Sequence, residues 1–134
     1  VIASGDVKSP GDYFKLVEET GCSVVMIGRG AFGRPWIFRE IKDLLAGREP
    51  EEMSLHARLD LFERFLDLEI QWYGERPGIL ELRKFYRWYF RGHSGMREYR
   101  QRFTAADSRA EVLFIMKELR EEIDTVWMKS ESES

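Results

Sequence analysis

Apolar residues follow two rhythms along the chain, and the change from one to the other divides it. In the first part they gather in short runs. Val1-Ile2-Ala3 leads straight into the turn Ser4-Gly5-Asp6-Val7, and Ser23-Val24-Val25-Met26-Ile27 is a continuous apolar run of strand length, the pattern of a parallel strand covered on both faces. Between them Ser9-Pro10-Gly11-Asp12 has the chemistry of a helix start, Phe14, Leu16 and Val17 supply its apolar positions, and Gly21 is a stop signal. Pro35 then opens a second helix, Trp36 to Leu45. The order is strand, helix, strand, helix, which predicts βα units joined by the usual right-handed crossover.

From Ser54 the rhythm is helical. Leu55, Leu59, Phe62, Phe65, Leu66, Leu68 and Ile70 predict a long helix ending at Tyr73-Gly74. Arg76-Pro77-Gly78 reads as a break, and Leu82, Phe85, Tyr86, Tyr89 and Phe90 predict a helix from Ile79 to Arg91, stopped by Gly92-His93-Ser94-Gly95. A short basic helix to about Phe103 and a last one from Ser108 to Trp127 complete a small bundle, with Lys129 to Ser134 a polar, frayed end. The fold class is therefore α/β plus all-α, divided into residues 1–50, 51–128 and 129–134.

Composition narrows the class. With 43% hydrophobic and 34% charged residues in 134, the chain is expected to be a globular protein rather than a disordered one. No apolar run approaches the roughly 20 residues that cross a bilayer, and no leader pattern precedes the first strand, so the expectation is a cytoplasmic protein without a membrane partner. The absence of an initiator methionine, with Val1 already inside a buried strand, points to a fragment. Cys22 follows Gly21 with no histidine nearby and is expected to be buried filler. Two histidines, His56 and His93, with no Cys or His cluster at ligand spacing, predict no metal site, and no Ser-His-Asp arrangement suggests itself.

The net charge of -3 hides a local reversal. From Arg83 to Arg102 seven basic residues, Arg83, Lys84, Arg87, Arg91, Arg97, Arg100 and Arg102, face the single acid Glu98. A basic field inside an acidic protein points to a polyanion contacted by one face. If Ile79 to Arg91 is one helix, Lys84, Arg87 and Arg91 share a face and Arg83 lies one turn from Arg87, a strip suited to a phosphate backbone. Trp88 is placed to stack on a base or ribose, while most of the aromatic residues around it are expected in the core.

The glycines carry the second candidate chemistry. Read literally, Gly28, Gly30 and Gly33 satisfy G-x-G-x-x-G, but a dinucleotide fingerprint belongs to the first turn of a βαβ unit with an acidic ribose ligand about 20 residues on. Here helix follows, and no further strand. The pairing of two turns is more informative. Ser4-Gly5-Asp6 and Gly28-Arg29-Gly30 end parallel strands and so emerge at the same carboxyl edge, where the last two loops of TIM barrels commonly bind phosphate through backbone N–H groups. Glycine lets the backbone approach the oxygens, and Arg29 would add a charge-assisted bond. The alternative, that Gly28 and Gly30 only turn the chain and Arg29 pairs with a surface acid, stays open on the residues alone.

Ser4-Gly5-Asp6, Glu19-Thr20-Gly21-Cys22, and Val25-Met26-Ile27-Gly28-Arg29-Gly30-Ala31-Phe32-Gly33-Arg34-Pro35-Trp36-Ile37-Phe38 together resemble the final barrel segment of bacterial tRNA-dihydrouridine synthases. The resemblance implies the last βα units of a TIM barrel, with Ser4, Gly5, Asp6, Gly28, Arg29 and Gly30 as half of a site for the phosphate of flavin mononucleotide (FMN). Ser4 stands where the family usually has asparagine, a shorter polar side chain. Leu82 to Gly92 is similar to the family's stretch in the helical domain that holds tRNA: Arg83, Lys84, Trp88, Tyr89 and Gly92 match, and Phe85 replaces a histidine. With the basic field, this makes Arg83, Lys84, Arg87, Trp88, Arg91, Arg97 and Arg100 the expected RNA-binding residues. The implied reaction is reduction of a tRNA uridine by reduced flavin with NADPH as hydride source. Its catalytic cysteine, and the lysine and histidine that hold flavin, are expected upstream, since Cys22 is in the wrong context. The chain alone is then expected neither to hold flavin stably nor to reduce uridine, and the remainder of the barrel is its implied partner, with dimerisation or strand exchange at the exposed barrel edge a further expectation. An autonomous RNA-binding module, or another flavin-binding barrel such as a dihydroorotate-dehydrogenase relative, is the alternative. The latter gives no reason for the basic strip.

Overall fold

A computed structural model describes residues 1–91 and 95–132, with side chains described to Val126. The chain forms two compact units, Val1–Met53 and Ser54 onward, so the division falls three residues later than the turn chemistry suggested. No helix among the described residues is long and apolar enough to cross a membrane.

In the first unit β1 (Ala3–Ser4) pairs in parallel with β2 (Val25–Met26), Ala3 opposite Val25 and Ser4 opposite Met26. The parallel pairing is as expected; the extent of the strands is not. Each has two residues, and Val1, Ile2, Val24 and Met26 are exposed. Burial on both faces needs covering layers and neighbours on either side, and each strand has one ladder partner among the described residues. Between the strands runs α1 (Pro10–Thr20). Ser9 accepts the amide of Asp12 at 3.2 Å and Asp12 accepts the amide of Ser9 at 2.9 Å, a reciprocal cap, with Pro10 in the first turn and Gly21 left-handed at the far end (φ 66). The amide of Lys8, then the hydroxyl and amide of Ser9, hold the Asp12 carboxyl below its ordinary pKa.

Helix α2 (Ile37–Leu45) closes the unit. Ile37 and Ile41 are buried with Val7, and Tyr13, Leu16, Val25, Ile27 and Ala31 pack around them. The core therefore lies directly beneath the loop that follows β1. Cys22 is half-buried rather than buried: just beyond the left-handed cap, its amide donates to Thr20 Oγ1 at 3.2 Å and its thiol faces the carbonyl of Thr20.

Among the described residues the second unit has five helices: α3 (Leu55–Tyr73), α4 (Glu75–Leu82), α5 (Tyr86–Tyr89), α6 (Met96–Ala105) and α7 (Arg109–Ser132). Ser54 caps α3 through the amide of Ala57, and Gly74 (φ 87) ends it, as the sequence suggests. Three expectations fail, each for a local reason. Pro77-Gly78 does not break the chain but lies inside α4: the amide that proline lacks would be unsatisfied in a first turn anyway. Gly78 is there for packing, since a β-carbon on it would lie 2.7 Å from the carbonyl oxygen of Glu69 on α3. Second, Ile79 to Arg91 is not one helix. Over Lys84 and Phe85 the amides bond three residues back rather than four, and the chain turns before α5. Third, α7 runs through Lys129 to Ser132, because nothing in that polar stretch, neither proline nor glycine, stops it. The expected stop at Gly92, His93 and Ser94 lies outside the described residues.

Phe62 is the centre of the core. Its ring lies 5.2 Å from Tyr86, 5.0 Å from Tyr89, 5.3 Å from Phe90 and 6.3 Å from Phe103, and Tyr86 and Phe90 both stack on Phe103. Leu59, Leu66, Ile79, Leu82, Val112, Met116 and Leu119 extend it. Outside it α3 and α7 are joined by ion pairs, Arg120 with Asp60 and Glu63 and Arg109 with Asp67, and by a hydrogen bond between His56 and Asp124 at 2.8 Å. Exposed pairs of this kind each contribute about 0–1 kcal/mol, so the aromatic core dominates.

The hydroxyl of Tyr86 in that core is buried without a hydrogen-bond partner among the described residues. Burial also pushes its pKa well up. A buried hydroxyl without a partner costs about 1–3 kcal/mol, and removing it leaves the ring contacts in place. Tyr86→Phe should therefore leave the thermal midpoint unchanged or raise it; a clear fall would mean that the hydroxyl is satisfied in solution.

Candidate cofactor-phosphate turns and basic surface

The parallel register brings both glycine turns to one sheet edge. Ser4, Gly5 and Asp6 are exposed and lead off β1. The amide of Val7 donates to the carbonyl of Gly5 at 3.0 Å, a tight turn that folds Val7 into the core. Off β2, Gly28 is followed by a single 3₁₀ turn, Arg29–Ala31, tied by the amide of Ala31 to the carbonyl of Gly28 at 3.0 Å. The turns touch through backbone: a β-carbon on Gly30 would lie 1.6 Å from the carbonyl oxygen of Val7. Gly30 is glycine because the two loops interlock there. Gly28 differs, with open space where its β-carbon would be.

Donors are left over at this edge. The amides of Asp6, Arg29 and Gly30 find no backbone carbonyl among the described residues, as is usual for the first amides of a helical turn. The side chain of the exposed Arg29 has no hydrogen bond or ion pair among them either, so pairing with a surface acid, open on sequence grounds, is not what the structure has. Asp6 is engaged by Lys8 at 2.6 Å. Lys8 was not singled out from the sequence, yet its α-carbon lies 3.3 Å from the β-carbon position of Gly30. Its only signal was a cation two residues beyond the turn. Behind the edge, Arg34 donates to both carboxylate oxygens of the buried Glu40 at 2.9 Å, anchoring the loop to α2.

In the second unit the seven residues expected to meet RNA fall into two groups. Arg83 and Lys84 are engaged within the protein. Arg83 Nη2 donates to the carbonyl of Ala106 and to Asp107 Oδ1, both at 3.1 Å, and Lys84 pairs with Glu81, which raises the lysine pKa. Arg87, Trp88, Arg91 and Arg97 are exposed and Arg100 is half-buried; the side chains of these four arginines make no ion pair or hydrogen bond among the described residues. Around α5 the core and the surface divide neighbouring residues: Tyr86, Tyr89 and Phe90 are buried while Arg87 and Trp88, with Arg91 just beyond, remain outside. Trp88 is 45% exposed. Most of the remaining rings here are core, as expected. Arg102, the last cation of the basic run, is bound to Glu118 on α7 and lies over the Tyr99 ring at 5.5 Å.

The amino-acid sequence has parallels among known proteins. A family model described as "Dihydrouridine synthase (Dus)" matches residues 1–126. The chain is 40% identical over 110 residues to tRNA-dihydrouridine synthase B of Pseudomonas aeruginosa, covering 77% of this chain and 31% of that protein. It is 36% identical over 133 residues to tRNA-dihydrouridine synthase B of Pseudomonas putida, covering 93% and 39%. A probable tRNA-dihydrouridine synthase of Mycobacterium tuberculosis is 36% identical over 93 residues, covering 69% and 24%. The chain thus spans about a third of the length of these curated relatives.

Proposed function

The chain belongs to the dihydrouridine synthase family, and from that premise we propose that it is the C-terminal part of a flavin-dependent oxidoreductase that reduces uridine to dihydrouridine in tRNA. Val1–Met53 would be the last βα units of a TIM barrel and would hold part of the FMN phosphate; the helices from Ser54 would form the bundle that grips tRNA. The observation that carries the reading is the meeting of the two turns at one edge, with open space at Gly28, amides without acceptors and the unpaired Arg29. That edge fits a phosphate dianion. Arg29 would supply the charge-assisted bond and the amides of Arg29 and Gly30 the approach. Lys8, held by Asp6, would bring a second cation to the rim, and Ser4 a short hydroxyl.

When bound, FMN supplies the reducing hydride, replenished by NADPH. The residues of this chain would bind and orient: the turns fix the phosphate end of the cofactor, and Arg87, Arg91, Arg97 and Arg100 draw the tRNA backbone in, with Trp88 available for stacking. The catalytic groups would lie in the part of the family's proteins that this chain does not span, and the rest of the barrel would be its partner, with cytoplasmic tRNA as substrate. The separate core of the second unit favours RNA binding as a property separable from flavin binding.

Titrating the chain with an unmodified tRNA transcript at several salt concentrations tests the RNA half. Affinity should fall steeply with salt, and Arg87→Met should weaken it and lower the slope of log K against log salt by about one, the loss of one phosphate contact. Binding that is absent or indifferent to salt would refute the reading.

A further inference from the structure

We infer that Arg83 is a positioning residue for the RNA surface and not one of its phosphate ligands; this rests on the reading of the second unit as RNA-binding. Arg83 lies at the end of α4, three residues before α5, and its side chain is 29% exposed. Its guanidinium reaches 23 and 24 residues along the chain, to the carbonyl of Ala106 and the carboxylate of Asp107. Ala106 is the cap of α6, where helix carbonyls lack partners and a cation meets the negative end of the helix dipole. The acceptors are themselves fixed. The amide of Asp107 donates to Glu111 Oε2 at 2.8 Å, and the hydroxyl of Ser108 accepts the amide of Glu111 at 3.2 Å.

One side chain thus ties the corner entering α5, which presents Arg87 and leads to Arg91, to the end of α6, which presents Arg97 and Arg100. Arg83 Nη2 is committed to both acceptors and Nε is buried, so withdrawing the guanidinium toward a phosphate would leave the Ala106 carbonyl and Asp107 without it.

The experiment measures dissociation constants of the 134-residue chain for an unmodified tRNA transcript across a KCl series. Arg83→Met, Asp107→Ala, the double variant and Arg87→Met are compared, each confirmed as folded by circular dichroism. Arg83→Met should weaken binding several-fold at every salt concentration with the wild-type salt slope retained, whereas Arg87→Met lowers the slope by about one. Asp107→Ala should also weaken binding, although removing an acid beside a basic surface would by charge alone strengthen it. The double variant should be no weaker than Arg83→Met, since both changes remove the same tie. A slope reduced by about one in Arg83→Met would overturn the inference, as would Asp107→Ala binding at or above wild-type affinity, which also shows that freeing Arg83 recruits it to RNA. Unchanged affinity in both variants would overturn it too, by showing a role in stability alone. Should Arg83→Met not fold, the sign of the Asp107→Ala effect decides. Absence of salt-dependent binding by the wild-type chain refutes the RNA reading itself, a result distinct from all of these.

Discussion

Replacing Phe62 with alanine should destabilise the second unit by about 3–5 kcal/mol, the usual cost of emptying a buried aromatic site. Phe62 is fully buried on α3 and meets rings from α5, its flanks and α6. Those partners cannot all move into the space, because Tyr86 and Phe90 are each held by stacking on Phe103. A domain of this size has only about 4–12 kcal/mol in total, so most of its margin is at stake. Because the residues presenting Arg87 and Arg91 are the same residues that pack on Phe62, the loss should extend to tRNA affinity. Guanidinium unfolding followed by far-UV circular dichroism reads the stability directly. Phe62→Leu, which keeps most of the volume, should lose less than half as much. A Phe62→Ala loss below about 1 kcal/mol would show that the ring cluster is not the core of this unit.

What could be read from the sequence was what depends on near neighbours. Ser9 with Asp12, Gly21, Ser54 and Gly74 mark helix ends through bonds spanning four residues or fewer, and all were legible. The apolar stripe of α3 and the parallel order of β1 and β2 followed from periodicity. What escaped depends on distant parts of the chain. Pro77-Gly78 looks like a break until Glu69 is known to pack against Gly78. Arg83 looks like one more cation of a basic strip, because its partners are Ala106 and Asp107. Gly30 looked like a glycine kept for phosphate, yet its immediate neighbour is the carbonyl of Val7. The pattern of charge located the basic surface, but not which of its members are already committed to holding the surface together.

Gly30→Ala should be the most damaging single change in the first unit, and Gly28→Ala, two residues away, one of the mildest. The added methyl at Gly30 would stand 1.6 Å from the Val7 oxygen and 2.7 Å from the Val7 carbonyl carbon. Both are backbone atoms, so no rotamer relieves the overlap. Val7 cannot retreat without leaving its place beside Ile37 and Ile41 and breaking its bond to Gly5, so the two loops must separate. The expected cost exceeds about 3 kcal/mol, beyond ordinary overpacking because the overlap is with main chain on both sides. Hydrogen exchange should show it as lost protection at the amides of Val7 and Ala31, with the second unit unchanged. At Gly28 no atom lies within 4 Å of the new methyl, and protection should stay at wild-type levels. The contrast separates two reasons for glycine within three residues. If the turns cradle a phosphate, a methyl at Gly28 intrudes on the ligand's space and should weaken flavin retention in a protein that includes the rest of the barrel, while the fold is intact. Normal protection in Gly30→Ala would mean that the interlocked contact between the turns is absent in solution, and with it the edge on which the phosphate reading stands.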